Sequence, residues 1–138
     1  MGKYIQNEVE YYYDSHPTVE DLMGETSYHA ELIYYLMSVL KWLFHGQICA
    51  IYENLNFYQT LEPMEYPIAP DIAVIKGEEY DHRRNWTVGR AGPAPQVVFE
   101  IASKETWRND LREKPLKYAR MGVEEYFLYD PETPMNMK

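Results

Sequence analysis

The chain has 138 residues, 46% hydrophobic and 15% aromatic with 14 tyrosines, a length for one domain spanning 1–138 and a composition that argues against disorder. Its formal net charge of −9 argues against a nucleic-acid coat, which needs a basic stripe, but leaves room for an enzyme that meets nucleic acid through a local basic strip. The single cysteine, Cys49, excludes an internal disulfide, no apolar run approaches the ~20 residues that span a bilayer, and the first residues lack a signal-peptide core, so a cytoplasmic protein without membrane contact is expected.

Residues 1–15 read as a polar, tyrosine-rich arm. The segment HPTVEDLMGE reads as one helical turn, with Thr18 as cap, Asp21 three residues later and Gly24 as stop. From Tyr28 to His45 the residues Leu32, Ile33, Leu36, Met37, Leu40, Leu43 and Phe44 recur at steps of three and four, which predicts a helix capped by Ser27 and ended by Gly46. The β-branched and aromatic stretch from Cys49 to Tyr58 predicts a strand, and the proline-containing residues 61–67 a loop.

Pro70 to Lys76 predicts a buried strand with Asp71 at its mouth. Residues 77–96 form a long connection carrying Arg83, Arg84 and Arg90; long connections within compact domains are often functional. PQVVFEIAS is a second buried strand with one acid, Glu100, among Val97, Val98, Phe99 and Ile101. NDLREKPLKYARMG predicts one helix, capped by Asn109 or Asp110 and closed by Gly122, with Pro115 in its first turns. VEEYFLYDP is a last strand, and the preceding helix can cross over to lay it parallel to a neighbour. The order is α-β-β-β-α-β, an α/β (α+β) fold with a mixed central sheet flanked by helices.

Two acids in apolar strands need a cation or hydrogen-bond donors. If their strands are neighbours, Asp71 and Glu100 can share a hard divalent ion such as Mg²⁺, which binds through one or two carboxylates plus water and phosphate oxygens. Asp71 taken alone is equally an acceptor of turn amides, and an arginine ion pair is the plain alternative for Glu100. A lysine would complete a site for phosphodiester hydrolysis, where it orients water or offsets developing charge. The same-face position two residues after Glu100 is Ala102, which leaves Lys104, Lys114 and Lys117 open.

The ordered set Pro70-Asp71, Val98 to Ser103, Asp110 to Lys114 and Tyr118 to Pro131, preceded by GETSYHAELIYYLM, resembles the PD-(D/E)XK nuclease superfamily. More narrowly, it resembles the bacterial family of putative restriction endonucleases, over most of residues 20–131. That resemblance implies a restriction-endonuclease-like core and a Mg²⁺-dependent (or Mn²⁺-dependent) endonuclease that hydrolyses DNA. It implies metal binding by Asp71 and Glu100, and a catalytic lysine that has moved to the helix at Lys114, with Lys104 as second choice. It also brings Glu25 and His29 near the site as further metal or water contacts. Arg83, Arg84 and Arg90 are the candidate DNA contacts, and a homodimer is expected by analogy with nucleases that cut both strands. The family continues past Asp130-Pro131 into a further strand pair, so the resemblance implies a shortened relative. Two alternatives stand beside the enzyme: a catalytically vestigial nuclease-fold module that binds nucleic acid or protein, and, with only net charge behind it, an acidic imitator of DNA.

Overall fold

The computed structural model describes residues 27–59, 66–103 and 107–131. The expected arm, the short turn around Thr18, and the residues Glu25 and Lys104 lie outside the described residues. Helix α1 spans Ser27–Leu43 and is followed by β1 (Cys49–Glu53), β2 (Asn56–Tyr58), β3 (Ile72–Lys76), β4 (Asn85–Thr87) and β5 (Val97–Ile101). Two short helices, α2 (Trp107–Arg112) and α3 (Lys114–Met121), then lead into β6 (Glu125–Tyr129).

The main sheet is mixed, in the order β1-β3-β5-β6. β3 is antiparallel to both β1 and β5, whereas β5 and β6 are parallel. A parallel pair requires a crossover, and α2 and α3 supply it, as the sequence led us to expect. β3 lies between two strands and under cover on both faces, so four of its five residues are buried and its sequence is a continuous apolar run rather than an alternating one.

Its side chains part to opposite faces with a period of two. Ile72 and Val74 join Ile51 and Ile101 beneath α1, which contributes Ile33, Met37 and Leu40. Those three helix residues follow the i, i+4, i+7 spacing of one buried stripe. Ala73 and Ile75 face the other way and join Ala50, Val98, Phe57, Trp86 and the α3 residues Tyr118 and Met121. The sheet is thus sandwiched, and Val98 and Glu100 of β5 point to the α3 side.

Three predicted elements differ in detail. The strand expected over Cys49 to Tyr58 is two strands, because Asn54 takes a left-handed φ of 53° and turns the chain; asparagine is among the few residues that tolerate this. The long basic connection contains β4, which pairs in parallel with β2 to form a second, two-stranded sheet. The single helix expected over Asn109 to Met121 is two helices that meet at Glu113. Pro115 explains the break: its ring would clash with the carbonyl four residues back and it offers no N–H, whereas the start of a helix accepts both features. The first of these helices begins at Trp107, whose amide donates to the Ser103 carbonyl at 3.0 Å, so Asp110 lies inside a helix rather than at its cap. Gly122 ends α3 with φ of 106° and donates to the carbonyls of Tyr118 and Ala119, a left-handed stop that favours glycine.

Candidate functional site

Antiparallel pairing of β3 with β5 brings the two acids together. The register sets Ile72 against Phe99, and one further step sets Asp71 opposite Glu100. The contact is direct: the Asp71 amide donates to Glu100 Oε1 at 3.1 Å, and the Ile101 amide donates to Asp71 Oδ2 at 2.7 Å. Asp71 does accept a backbone amide, as a strand-mouth aspartate would, but from the neighbouring strand rather than from its own turn. The Asn54 amide donates to the Asp71 carbonyl at 3.1 Å and Pro70 is fully buried, so the chain at this corner is held from both sides.

Glu100 is 2% exposed. Its partner is not an arginine. Lys114 Nζ lies 3.0 Å from Glu100 Oε2, and the Tyr118 hydroxyl donates to the same oxygen at 2.6 Å. Lys114 stands at the first position of α3, on the sheet face to which Glu100 points. Ala102, the place two residues beyond Glu100, is buried at 2% exposure and leaves the cation's role to the helix. Lys114 also meets Asp110 Oδ1 at 2.8 Å, and Asp110 is itself buried. Lys117 is exposed on the same helix.

His29, in the first turn of α1, donates from Nε2 to the Ile101 carbonyl at 2.9 Å and lies 3.9 Å from Asp71 Oδ2. It therefore reaches the same corner from the opposite face of the sheet. Arg83 is exposed and stacks over the Trp86 ring at 4.6 Å, and Arg84 and Arg90 are exposed on the same β4 connection.

The electrostatics follow from burial. Burial pushes the carboxyls of Asp71 and Glu100 above their ordinary ranges; the Ile101 amide and His29 oppose this for Asp71, and Lys114 opposes it for Glu100. The Asp71 charge adds to the rise at Glu100, and the Asp110 charge adds to the rise at Asp71, as like charges do. Burial alone would lower Lys114, yet Glu100 and Asp110 outweigh it and hold the ammonium above its usual range. Burial and the Glu100 charge push the Tyr118 hydroxyl far up, so it serves as a donor only.

Among the described residues no group of three or more His, Cys, Asp or Glu side chains is placed to hold a metal ion. A closed nitrogen-and-sulfur cage of the zinc type is therefore not built from them. What is present is a pair of neighbouring carboxylates, each bound by a backbone amide of the facing strand, near the Ile101 carbonyl that His29 contacts. That oxygen-only set fits a hard divalent ion, which keeps several waters and takes few protein ligands.

The sequence gives two residues of this cluster no chemical role of their own: Asp110 is a cap candidate and opens the family's Asp110 to Lys114 pattern, and Tyr118 belongs to the segment that follows it. A signal existed: positions 110, 114 and 118 follow a four-residue spacing that puts side chains on one helical face.

A mixed sheet that carries an aspartate and a glutamate on adjacent strand ends, with a lysine delivered from a flanking helix, defines an α/β protein with a nuclease-like fold. Among solved structures, the fold is similar to that of a putative nuclease from Anabaena variabilis, with a TM-score of 0.59 at 18% identity, covering 78% of this chain. The chain spans 59% of that protein's length. Residues 3–135 match the Uma2 family, described as "Putative restriction endonuclease", and the chain belongs to that family. No curated protein matches it. No described helix is long and apolar enough to cross a membrane.

Proposed function

We propose that this protein is a Mg²⁺- or Mn²⁺-dependent endonuclease that hydrolyses phosphodiester bonds of DNA. The observation that supports it most is the convergence of Asp71, Glu100 and Lys114, from three separate elements, on one buried corner of the sheet. Structural ion pairs are usually matched in charge. Here two carboxylates lie on adjacent strands and each is held above its ordinary pKa, a pattern that marks functional sites.

In this reading Asp71 and Glu100 would hold the divalent ion. When bound, the ion supplies an acidified water and offsets charge on the phosphate. Lys114 keeps its proton at Nζ at neutral pH, and so it presents a fixed positive charge that orients the attacking water and stabilises the transition state. His29 orients the Ile101 carbonyl through its Nε2 proton. Arg83, Arg84 and Arg90 contact DNA phosphates, which compensates locally for the net charge of −9. Two copies act together on duplex DNA, each supplying one centre, and the work takes place in the cytoplasm.

The test is nicking of supercoiled plasmid with and without Mg²⁺, for wild type and for Asp71→Ala. Cleavage that needs the ion and disappears in the variant is the expected result. Equal cleavage by Asp71→Ala overturns the proposal, and metal binding without any cleavage identifies a vestigial module instead.

A further inference from the structure

We propose that Asp110 and Tyr118 are the positioning residues of this centre: Asp110 holds the Lys114 ammonium and Tyr118 holds the Glu100 carboxylate. The inference rests on the nuclease reading above and assigns roles to two residues that touch neither substrate nor metal in it.

Lysine is a long, flexible side chain whose ammonium prefers water. Lys114 has solvent within reach, with its side chain 15% exposed, yet its Nζ is turned inward between Asp110 and Glu100. Asp110 is the anchored part of this arrangement. It is 1% exposed, and its main-chain carbonyl accepts the Tyr126 hydroxyl of β6 at 2.8 Å. The main chain at Asp110 is thus tied to the sheet through Tyr126, and its side-chain Oδ1 lies 2.8 Å from Lys114 Nζ. At that distance the pair is a close ion pair made by a buried carboxylate. The four-residue spacing of Asp110 and Lys114 keeps the two side chains adjacent across the break at Glu113.

Tyr118 works on the other partner. A carboxylate on a glutamate can rotate and exchange its oxygens. Here both polar contacts from α3 fall on Oε2: the Tyr118 hydroxyl at 2.6 Å and Lys114 at 3.0 Å. Oε1 is left toward Asp71, whose amide donates to it at a longer 3.1 Å. The tyrosine ring is itself immobile, 1% exposed and packed on Tyr126 with ring centroids 5.3 Å apart. The side of Glu100 that faces Asp71 is therefore selected by a hydroxyl anchored in the core. Without it the carboxylate is free to offer either oxygen to Lys114, and the two acids lose their common aim.

The experiment compares the full-length protein with Asp110→Asn and Tyr118→Phe. The first keeps shape and removes charge, and the second keeps the ring and removes one oxygen. In metal-free protein, nitrogen-15 spectroscopy of lysine ammonium groups is expected to show one ordered signal that disappears in Lys114→Met. It is also expected to broaden away in Asp110→Asn. Calorimetric Mn²⁺ affinity is expected to fall about tenfold or more in Tyr118→Phe, the effect of losing one hydrogen bond to a charged group. In cleavage, both variants are expected to lower kcat at least about tenfold while KM for DNA stays unchanged, as expected for groups that matter in the transition state rather than in binding. A lowered melting temperature with the ammonium signal, the Mn²⁺ affinity and kcat all unchanged would show a merely structural role and overturn the inference. If Asp110→Asn does not fold, Tyr118→Phe decides by the same criteria. Wild-type protein that cuts no DNA refutes the nuclease reading, while the ammonium signal, which needs neither metal nor DNA, still decides the positioning.

Discussion

Replacing Lys114 by methionine should be among the most destabilising single changes available in this fold. Methionine fills most of the volume and keeps helix propensity, so the change isolates the charge. Two carboxylates lose their shared cation: Glu100, 2% exposed, at 3.0 Å, and Asp110, 1% exposed, at 2.8 Å. Removing one member of a buried pair costs about 3–5 kcal/mol, because the remaining charge is left poorly solvated. For a protein of this size that corresponds to a fall in Tm on the order of 10–15 °C.

The pH dependence has a definite sign. Lys114 has a folded pKa above its ordinary 10.5, so its contribution is fully present below that value and is lost as pH rises through the higher folded one. Glu100 also has a raised folded pKa, and its protonated form is the one the fold prefers; stability from that group is present below 4.5 and lost as pH rises. The deficit of Lys114→Met is therefore largest near neutrality and shrinks on acidification, as protons replace the missing cation. Thermal unfolding followed by circular dichroism from pH 4 to pH 8 measures it, with the exposed Lys117→Met as control, expected within about 0.5 kcal/mol of wild type. A Lys114→Met protein within about 1 kcal/mol of wild type at pH 7 would refute the buried-charge reasoning.

Mn²⁺ at a concentration 100 times its Kd should stabilise the protein by about 2.7 kcal/mol at pH 7. That gain should fade on acidification while pH is still above the ordinary carboxylate values of 3.8 and 4.5, because Asp71 and Glu100 both hold protons more tightly than usual; a metal effect that is constant from pH 7 to pH 4 excludes these two as ligands. Gly92→Ala should cost about 1–3 kcal/mol by overpacking, since its Cβ would stand 2.6 Å from the fully buried Trp86 ring, which is further tied by its indole N–H to the Pro93 carbonyl at 3.0 Å; denaturant titration with an unchanged midpoint would contradict it. Alanine at Arg83, Arg84 or Arg90 should weaken DNA binding alike for all sequences and lower the slope of log affinity against log salt by about 0.9 for each phosphate contact removed. Fluorescence anisotropy at several salt concentrations reads this, and an unchanged slope in all three removes them as phosphate contacts.

Much of the architecture was legible without coordinates. The α1 stripe follows from local periodicity, the buried strands β3 and β5 from continuous apolar runs, and the crossover to β6 from the helical segment that precedes it. The mouth of β3 and the middle of β5 also exposed their own anomaly, an acid in an apolar run, so Asp71 and Glu100 could be singled out. Other features were not legible. The β4 strand is three residues long and gains its identity from pairing with β2 rather than from its own pattern. The helix break at Glu113 had a visible cause in Pro115, but a proline is equally at home in an unbroken first turn.

The sequence by itself determined which groups are costly to bury, one acid at the mouth of a hydrophobic strand and one within another, and its family resemblance pointed to Lys114 among the lysines. It also determined that those acids need a partner, since desolvation is a property of the residue type and the apolar neighbours it is given. Only the tertiary structure decided who the partners are. The antiparallel register of β3 and β5 sets Asp71 beside Glu100, and the crossover brings α3 over the same strand so that Lys114 meets Glu100 as well as Asp110. Such choices rest on contacts between residues far apart in the chain. Their energies depend on distances of about 3 Å and on exclusion from water, neither of which is written in the spacing of residues along it.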